Sequence, residues 1–297
     1  MSFDRRAFLG LSAVSAAGLL TGCGPGEARG AASTLIRPEP PHPVPSPDPT
    51  QTSEPSESTG QQEPPSLEEL QAQHGQQQPQ EWGLETSGVI TSFTPSGNQA
   101  VLTLDACGGR GSGGYDAALI DSLRQAGIAA SLFINKRWAQ ENYGITQELI
   151  EDPLFEIANH GTQHKPLSVT GQQAYGIPGT ESLEEAYAEI MDNQQFFRDS
   201  FGLELPFFRA GTAYVDEVAA QMAQQLGTPV VNFSVNGDAG ATYSATEVQR
   251  AMREVGPGDI VIGHFNQPDS QVAAGFGQAL QEAAERGIEW MTLSQVL

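Results

Sequence analysis

From Thr86 to the last residue, strand-like apolar runs alternate with amphipathic helical stretches, and this alternation is what most restricts the fold. "GVITSFTPSGNQAVLTLDAC" reads as two strands joined at a Pro-Ser-Gly-Asn turn. "YDAALIDSLRQAG" has helical periodicity and stops at Gly127, and "IAASLFIN" is a buried strand. The short helix "TQELIEDP" and the strand "FEIANHG" follow, and then the longest helix, "SLEEAYAEIMDNQQFFRDSFG", which carries a Ser-x-x-Glu capping pattern at Ser182 and Glu185. "PFFRAG", "PVVNFSV", "GDIVIGHF" and "IEWMTLSQVL" read as further strands with helices between them. Strands that recur across intervening helices pair in parallel. About 210 residues in this rhythm predict one barrel-like α/β domain over 86–297. In such a barrel the chemistry sits at the C-terminal strand ends.

Those ends are polar. Asp105 closes "VLTLDAC", His160 closes "FEIANH", Arg209 closes "PFFR", Asp238 follows "VVNFSVNG" and His264 closes "IVIGH". One such residue would be an ordinary loop side chain, whereas five in register point to an active site. His164 follows His160 by four residues in "HGTQH", a spacing that suits a metal clamp and also arises in plain surface loops. "GGRGSGG" lacks the Gly-Lys-(Ser/Thr) of a phosphate loop and reads as turn glycine.

The first 85 residues are of another kind. "MSFDRRAFLGLSAVSAAGLLTGC" pairs Arg5 and Arg6 ahead of an apolar run too short to span a bilayer comfortably, and resembles a twin-arginine export signal. "LTGC" resembles a lipobox, which predicts a signal peptide over 1–22 and a lipid anchor on Cys23 at the outer face of the cytoplasmic membrane. Residues 23–85, rich in Pro, Gln, Ser and Glu, predict a disordered acidic spacer, with no function assigned to His74. A formal net charge of −22 argues against nucleic-acid binding, since phosphate would be repelled. With Cys23 acylated, Cys107 is left as the only other cysteine, so no intramolecular disulfide is expected.

The order of these motifs resembles the polysaccharide deacetylases, the NodB-homology domain of carbohydrate esterase family 4. The family's Thr-Phe-Asp-Asp appears as "TLDA" (Thr103 to Ala106), its His-rich motif as "HGTQH", and its Arg motif loosely as "RAGTAY" with Tyr214 displaced. Its later Asp appears in "NGDAG" and its final His in "IVIGH". The resemblance implies a distorted (β/α) barrel that removes acetyl groups from an N- or O-acetylated sugar polymer, and the chain is expected to be a monomer. It also implies a divalent ion, Zn²⁺ foremost, with Co²⁺, Ni²⁺ or Mn²⁺ as alternatives. Carried over residue by residue, His160, His164 and Asp105 hold the metal, and Asp105 also stands at the base position. His264 is the general acid, Arg209 orients the base, and Asp238 is an orienter in the same charge network.

One departure unsettles this carry-over. The family's second Asp, a metal ligand, is Ala106 here, and a methyl cannot ligate. Asp105 could swing to the metal, water could fill the position, or Asp238 could compensate. Cys107 is a further thiolate candidate, with a side chain expected to point away from that of Ala106. Two other functions stay open: a glycan-binding protein that has lost its chemistry, and an amidohydrolase acting on a small cyclic amide.

Overall fold

The computed structural model describes residues 64–297; the expected export signal, Cys23 and the expected spacer up to residue 63 lie outside the described residues. The description opens on helix α1 (Leu67–His74), capped by Ser66 and Glu69, with Leu70 fully buried and His74 5% exposed. Residues 66–83, expected as part of the spacer, instead carry a helix and a strand that pack on the domain. Leu67 and Leu70 lie one helical turn apart, and both pack into an apolar cluster with residues of helices α5 (Leu183–Phe201) and α6 (Glu217–Gln225). His74 Nε2 is 3.2 Å from Gln225 Oε1. The segment that follows forms β1 (Trp82–Gly83), which is antiparallel to β5 (Val215–Asp216).

The central sheet is parallel. Strand β2 (Gln99–Ala106) is followed by α2 (Ala117–Ala126), β3 (Ala130–Ile134), α3 (Lys136–Glu141), α4 (Tyr143–Glu151) and β4 (Phe155–Asn159). Next come α5 (Leu183–Phe201), β5 and α6 (Glu217–Gln225), then β6 (Val235–Asn236) and α7 (Ala245–Met252). The chain closes with β7 (Ile260–His264), α8 (Val272–Glu285) and β8 (Glu289–Met291). The order is β4-β3-β2-β7-β6, and β8 pairs with the start of β2. Beyond β4 the wall continues only through isolated parallel bridges, Asn159 to Phe208, Phe208 to Val230 and Val231 to Ile90. The result is a distorted (β/α) barrel. "PFFRAG" and the Val89–Ser92 stretch, expected as strands, form only isolated bridges, through Phe208, Ile90 and Ser92.

Helix α2 ends as its sequence predicts, on Gly127 in the left-handed conformation. Ser182 caps α5 by accepting from the Glu185 amide, but the Glu185 carboxylate turns to Lys165 and to the Glu181 amide, leaving the capping pattern half made.

Strand β2 decides where the site lies. Leu102, Leu104 and Ala106 are fully buried in the apolar layer shared with α2, α7 and α8. The period of two sends Thr103 and Asp105 to the opposite face, inside the barrel. Parallel pairing sets Asp105 level with His264 on β7 and with Phe133 on β3, so the strand ends meet at one rim.

Candidate active site

Arg209 is the fixed point of the rim. Its guanidinium is fully buried, donates to the carbonyls of Val231 (2.9 Å) and Asn232 (2.9 Å), and lies 4.1 Å above the Phe133 ring. Nη1 donates to Thr103 Oγ1 at 2.8 Å and to Asp105 Oδ1 at 2.7 Å. Burial pushes the Asp105 carboxyl up, but Arg209, with His160 and His264, outweighs it and holds Asp105 below the usual carboxylate range. Asp105 Oδ2 is left facing His160 Nε2 at 3.6 Å.

His160 and His164 leave the end of β4 on a loop that is bonded on every side. His160 Nδ1 donates to the Arg209 carbonyl at 3.0 Å. A carbonyl can only accept, so this bond fixes the tautomer and leaves the Nε2 lone pair aimed into the rim. Asn135 Nδ2 donates to the carbonyls of His160 (2.9 Å) and Gly161 (2.8 Å), and Asn159 Oδ1 accepts from the Gly161 amide at 2.9 Å. The buried carboxylate of Glu189, on α5, accepts from the amides of Thr162 (3.1 Å), Gln163 (2.9 Å) and Lys165 (3.2 Å). Burial raises the Glu189 pKa, and these backbone donors oppose the rise. Gly161, at φ +74°, has no Cβ because one would stand 2.4 Å from Glu189 Oε1. His164 takes φ +61°, uncommon for a side chain of its size, inside this clasp. Its ring meets that of His160 edge-on at 4.9 Å, and its buried Nε2 has no hydrogen-bond partner.

Cys107 continues the interior face of Thr103 and Asp105. One donor atom each from Cys107, His160 and His164 lies within 4.8 Å of the others, and Sγ is 3.7 Å from His160 Nε2. Burial pushes the thiol pKa up, yet His164, His160 and His264 together bring it well below the ordinary value. In the metal-free chain burial disfavours a charged His160, while Asp105 and Cys107 more than restore its proton. A buried imidazole atom without a partner, a tautomer set by a carbonyl and a thiol beside both histidines are the donor chemistry of a divalent metal site, so the residues fit the ion that the motifs imply.

Across the cleft, Asp238 is fully buried and belongs to His264, not to Arg209 and Asp105. Its Oδ2 accepts from the His264 amide at 2.7 Å and its Oδ1 lies 2.9 Å from His264 Nδ1. Burial disfavours the imidazolium, but Asp238 raises the His264 pKa well above its ordinary value. The cleft between the two sides has a volume of about 570 Å³ and is lined by Asp105, Cys107, His164 and His264, with no Lys or Arg. Tyr175, 76% exposed at the tip of a tight turn, stands on its edge with its ring 5.4 Å from that of Tyr214.

The sequence-predicted residues Asp105, His160, His164, Arg209, Asp238 and His264 thus gather at one rim. Sequence reasoning missed Glu189, Asn135 and Asn159, because an acid or amide inside a helix or at a strand end looks like a solvated side chain. Cys107, a thiolate candidate in the sequence, lies beside both histidines, on the side opposite Ala106 as alternation along β2 predicts.

A family model for polysaccharide deacetylases matches residues 94–231. Over that segment the chain is similar to the polysaccharide deacetylases. Among solved structures, a pseudoenzyme of carbohydrate esterase family 4 from Bacillus anthracis is 17% identical, with a TM-score of 0.60 over 71% of this chain and 69% of that one. A peptidoglycan N-acetylglucosamine deacetylase is 16% identical, with a TM-score of 0.60 over 71% and 92%. A family 4 carbohydrate esterase from Bacillus subtilis is 16% identical, with a TM-score of 0.57 over 79% and 91%. At these identities the likeness is one of fold. No curated protein matches the chain.

Proposed function

We propose that the protein is an active, metal-dependent deacetylase that hydrolyses the acetamido group of an N-acetylated, uncharged sugar in a cell-envelope polymer. The observation that carries this reading is the placement of two opposed proton-handling groups around the imidazole pair: Asp105 anchored on Arg209, and His264 anchored on Asp238.

Bound at His160 and His164, a divalent ion, zinc foremost, supplies a Lewis acid for the acetyl carbonyl and for water. Asp105, ionised beside Arg209, offers Oδ2 to take the proton of the attacking water. His264, holding its proton against Asp238, delivers it to the departing amine nitrogen. A cleft without Lys or Arg lacks a counter-charge for an anionic substrate and suits a neutral amide. The similar fold of a peptidoglycan N-acetylglucosamine deacetylase supports an envelope glycan as that substrate.

A second reading, a glycan-binding protein without turnover, is favoured by Ala106 in place of the family's second Asp and by the pseudoenzyme among the similar folds. Acetate release by the full-length chain from N-acetylated glycans, with and without added zinc, separates the two. Release that disappears in His264→Ala supports turnover, whereas saturable glycan binding without release by the zinc-loaded wild type favours the second reading. The leader and "LTGC" support export and lipid anchoring of a monomer through Cys23; a Cys23→Ser chain that stays in the membrane fraction would refute the anchor.

A further inference from the structure

Two imidazoles alone hold zinc weakly, and the position of the missing family carboxylate offers no replacement. Ala106 is fully buried in the apolar layer that holds Leu104, Leu119 and Phe265, on the far side of β2 from the histidines. An acid at 106 would enter that layer and not the rim. The two other carboxylates are committed. Asp105 is held by Arg209 through Oδ1 and keeps Oδ2 for the proton of the attacking water in the reading above, and both oxygens of Asp238 are taken by His264.

One more step along β2 reverses the direction of the side chain. Residues 103, 105 and 107 share the interior face, and the third of them is a cysteine. The backbone is then bent sharply by Gly108 at φ +65°, where a Cβ would stand 2.6 Å from the Trp138 amide nitrogen, so the turn after Cys107 is closed against α3. This leaves Sγ beside His160 Nε2 at 3.7 Å, in the only group of three His, Cys, Asp or Glu donors that converges closely enough for a metal among the described residues. We infer that Cys107 is the third protein ligand of the metal centre, a thiolate displaced by one residue from the family's carboxylate position.

The assignment rests on the metal-dependent reading above and completes a donor set of two imidazoles and one thiolate. Three protein donors of these types would match the ligand count of catalytic zinc sites, which keep a place for water. Binding would form the sulfur–metal bond with the thiolate electron pair, and the protons held on Sγ and on His160 Nε2 would leave to solvent. A thiolate is a soft donor, so the site selects zinc or cobalt over manganese.

Cobalt(II) reports the ligand directly, because a thiolate adds an intense near-ultraviolet charge-transfer band that imidazole and carboxylate lack. The full-length chain loaded with cobalt should show this band, and manganese should not displace the ion. Cys107→Ser should lose the band and bind cobalt at least about 100-fold more weakly, a greater loss than the ~10–100-fold typical of removing an outer hydrogen-bond partner. Cys107→Asp, by offering a carboxylate from the same position, should regain most of the affinity without the band. Ala106→Asp should leave the metal affinity unchanged and lower the thermal midpoint. Circular dichroism of each variant separates loss of the ligand from loss of the fold, and the wild-type spectrum tests the assignment without any substitution. A wild-type chain that binds cobalt without the band, binds neither cobalt nor zinc, or keeps its affinity in Cys107→Ser overturns the proposal. Acetate release is read separately: the band without turnover keeps the thiolate and sinks the deacetylase.

Discussion

The two sides of the cleft both use histidine, and they differ in what the second ring nitrogen touches. His160 gives Nδ1–H to the Arg209 carbonyl, whereas His264 sets Nδ1 against the Asp238 carboxylate. A carbonyl orients an imidazole without adding charge, which suits a ligand that must present a lone pair. A carboxylate stabilises the imidazolium, which suits a group that must give up a proton. The surrounding charges also reach the first side: Asp105 and Cys107 raise the His160 pKa despite its burial, so a metal must displace that proton to bind. One residue type is thus committed to two roles by partners that lie elsewhere in the chain.

The strongest test of this division removes each histidine in turn. His160→Ala should lose both bound metal and acetate release, with activity falling below detection. His264→Ala should keep its metal and lose roughly 10²–10⁴ in kcat, the usual worth of a general acid. Metal analysis beside kinetics reads the split; loss of metal in both variants would make the two sides one site.

A smaller effect isolates the carboxylate behind the acid. His264 works while protonated, so the rate holds below its raised pKa and falls as pH rises through it. Asp238→Asn removes the charge that raises that pKa. The alkaline limb of the kcat profile should therefore move to lower pH, costing on the order of tenfold at mildly alkaline pH. An unmoved limb would mean that another group supplies the proton.

Glu189→Gln probes the metal side, where the carboxylate clasps the amides around His164. The neutral amide should hold the loop less well and weaken zinc affinity by about tenfold, while the alkaline limb set by His264 stays in place. Equal changes in both readouts would show general loosening of the fold in place of a positioning role.

The smallest effect belongs to the rim. Tyr175→Ala should raise KM a few-fold for a polymer and leave a single acetylated sugar unaffected, since one exposed aromatic face contributes about 1 kcal/mol of stacking. Identical KM shifts for both substrates would place Tyr175 against the reacting sugar.

How much of this was legible in the sequence follows from the range of each interaction. Strand–helix alternation predicts a parallel barrel, because periodicity is local, and the glycine stop of α2 is likewise a local effect. The five polar strand ends could be read because each lies at the end of its own apolar run. The segment before residue 86 was harder. Composition reads residues 66–75 as part of a spacer, yet Leu70 is buried among residues of α5 and α6, more than a hundred positions away. No local pattern encodes that partner.

The sequence by itself therefore determined the element order, the parallel pairing and the candidate residues, all of which depend on neighbours within a few positions. The tertiary structure alone decided how those residues are employed. It assigned Asp238 to His264 and closed Glu189 around the histidine loop, whereas the Arg209–Asp105 pair is the one that the motif resemblance implies. It also showed that position 106 faces the core while Cys107 faces the histidines. Side-chain direction at a strand end depends on which face the neighbouring strands and helices cover, and that is settled only when the whole barrel packs.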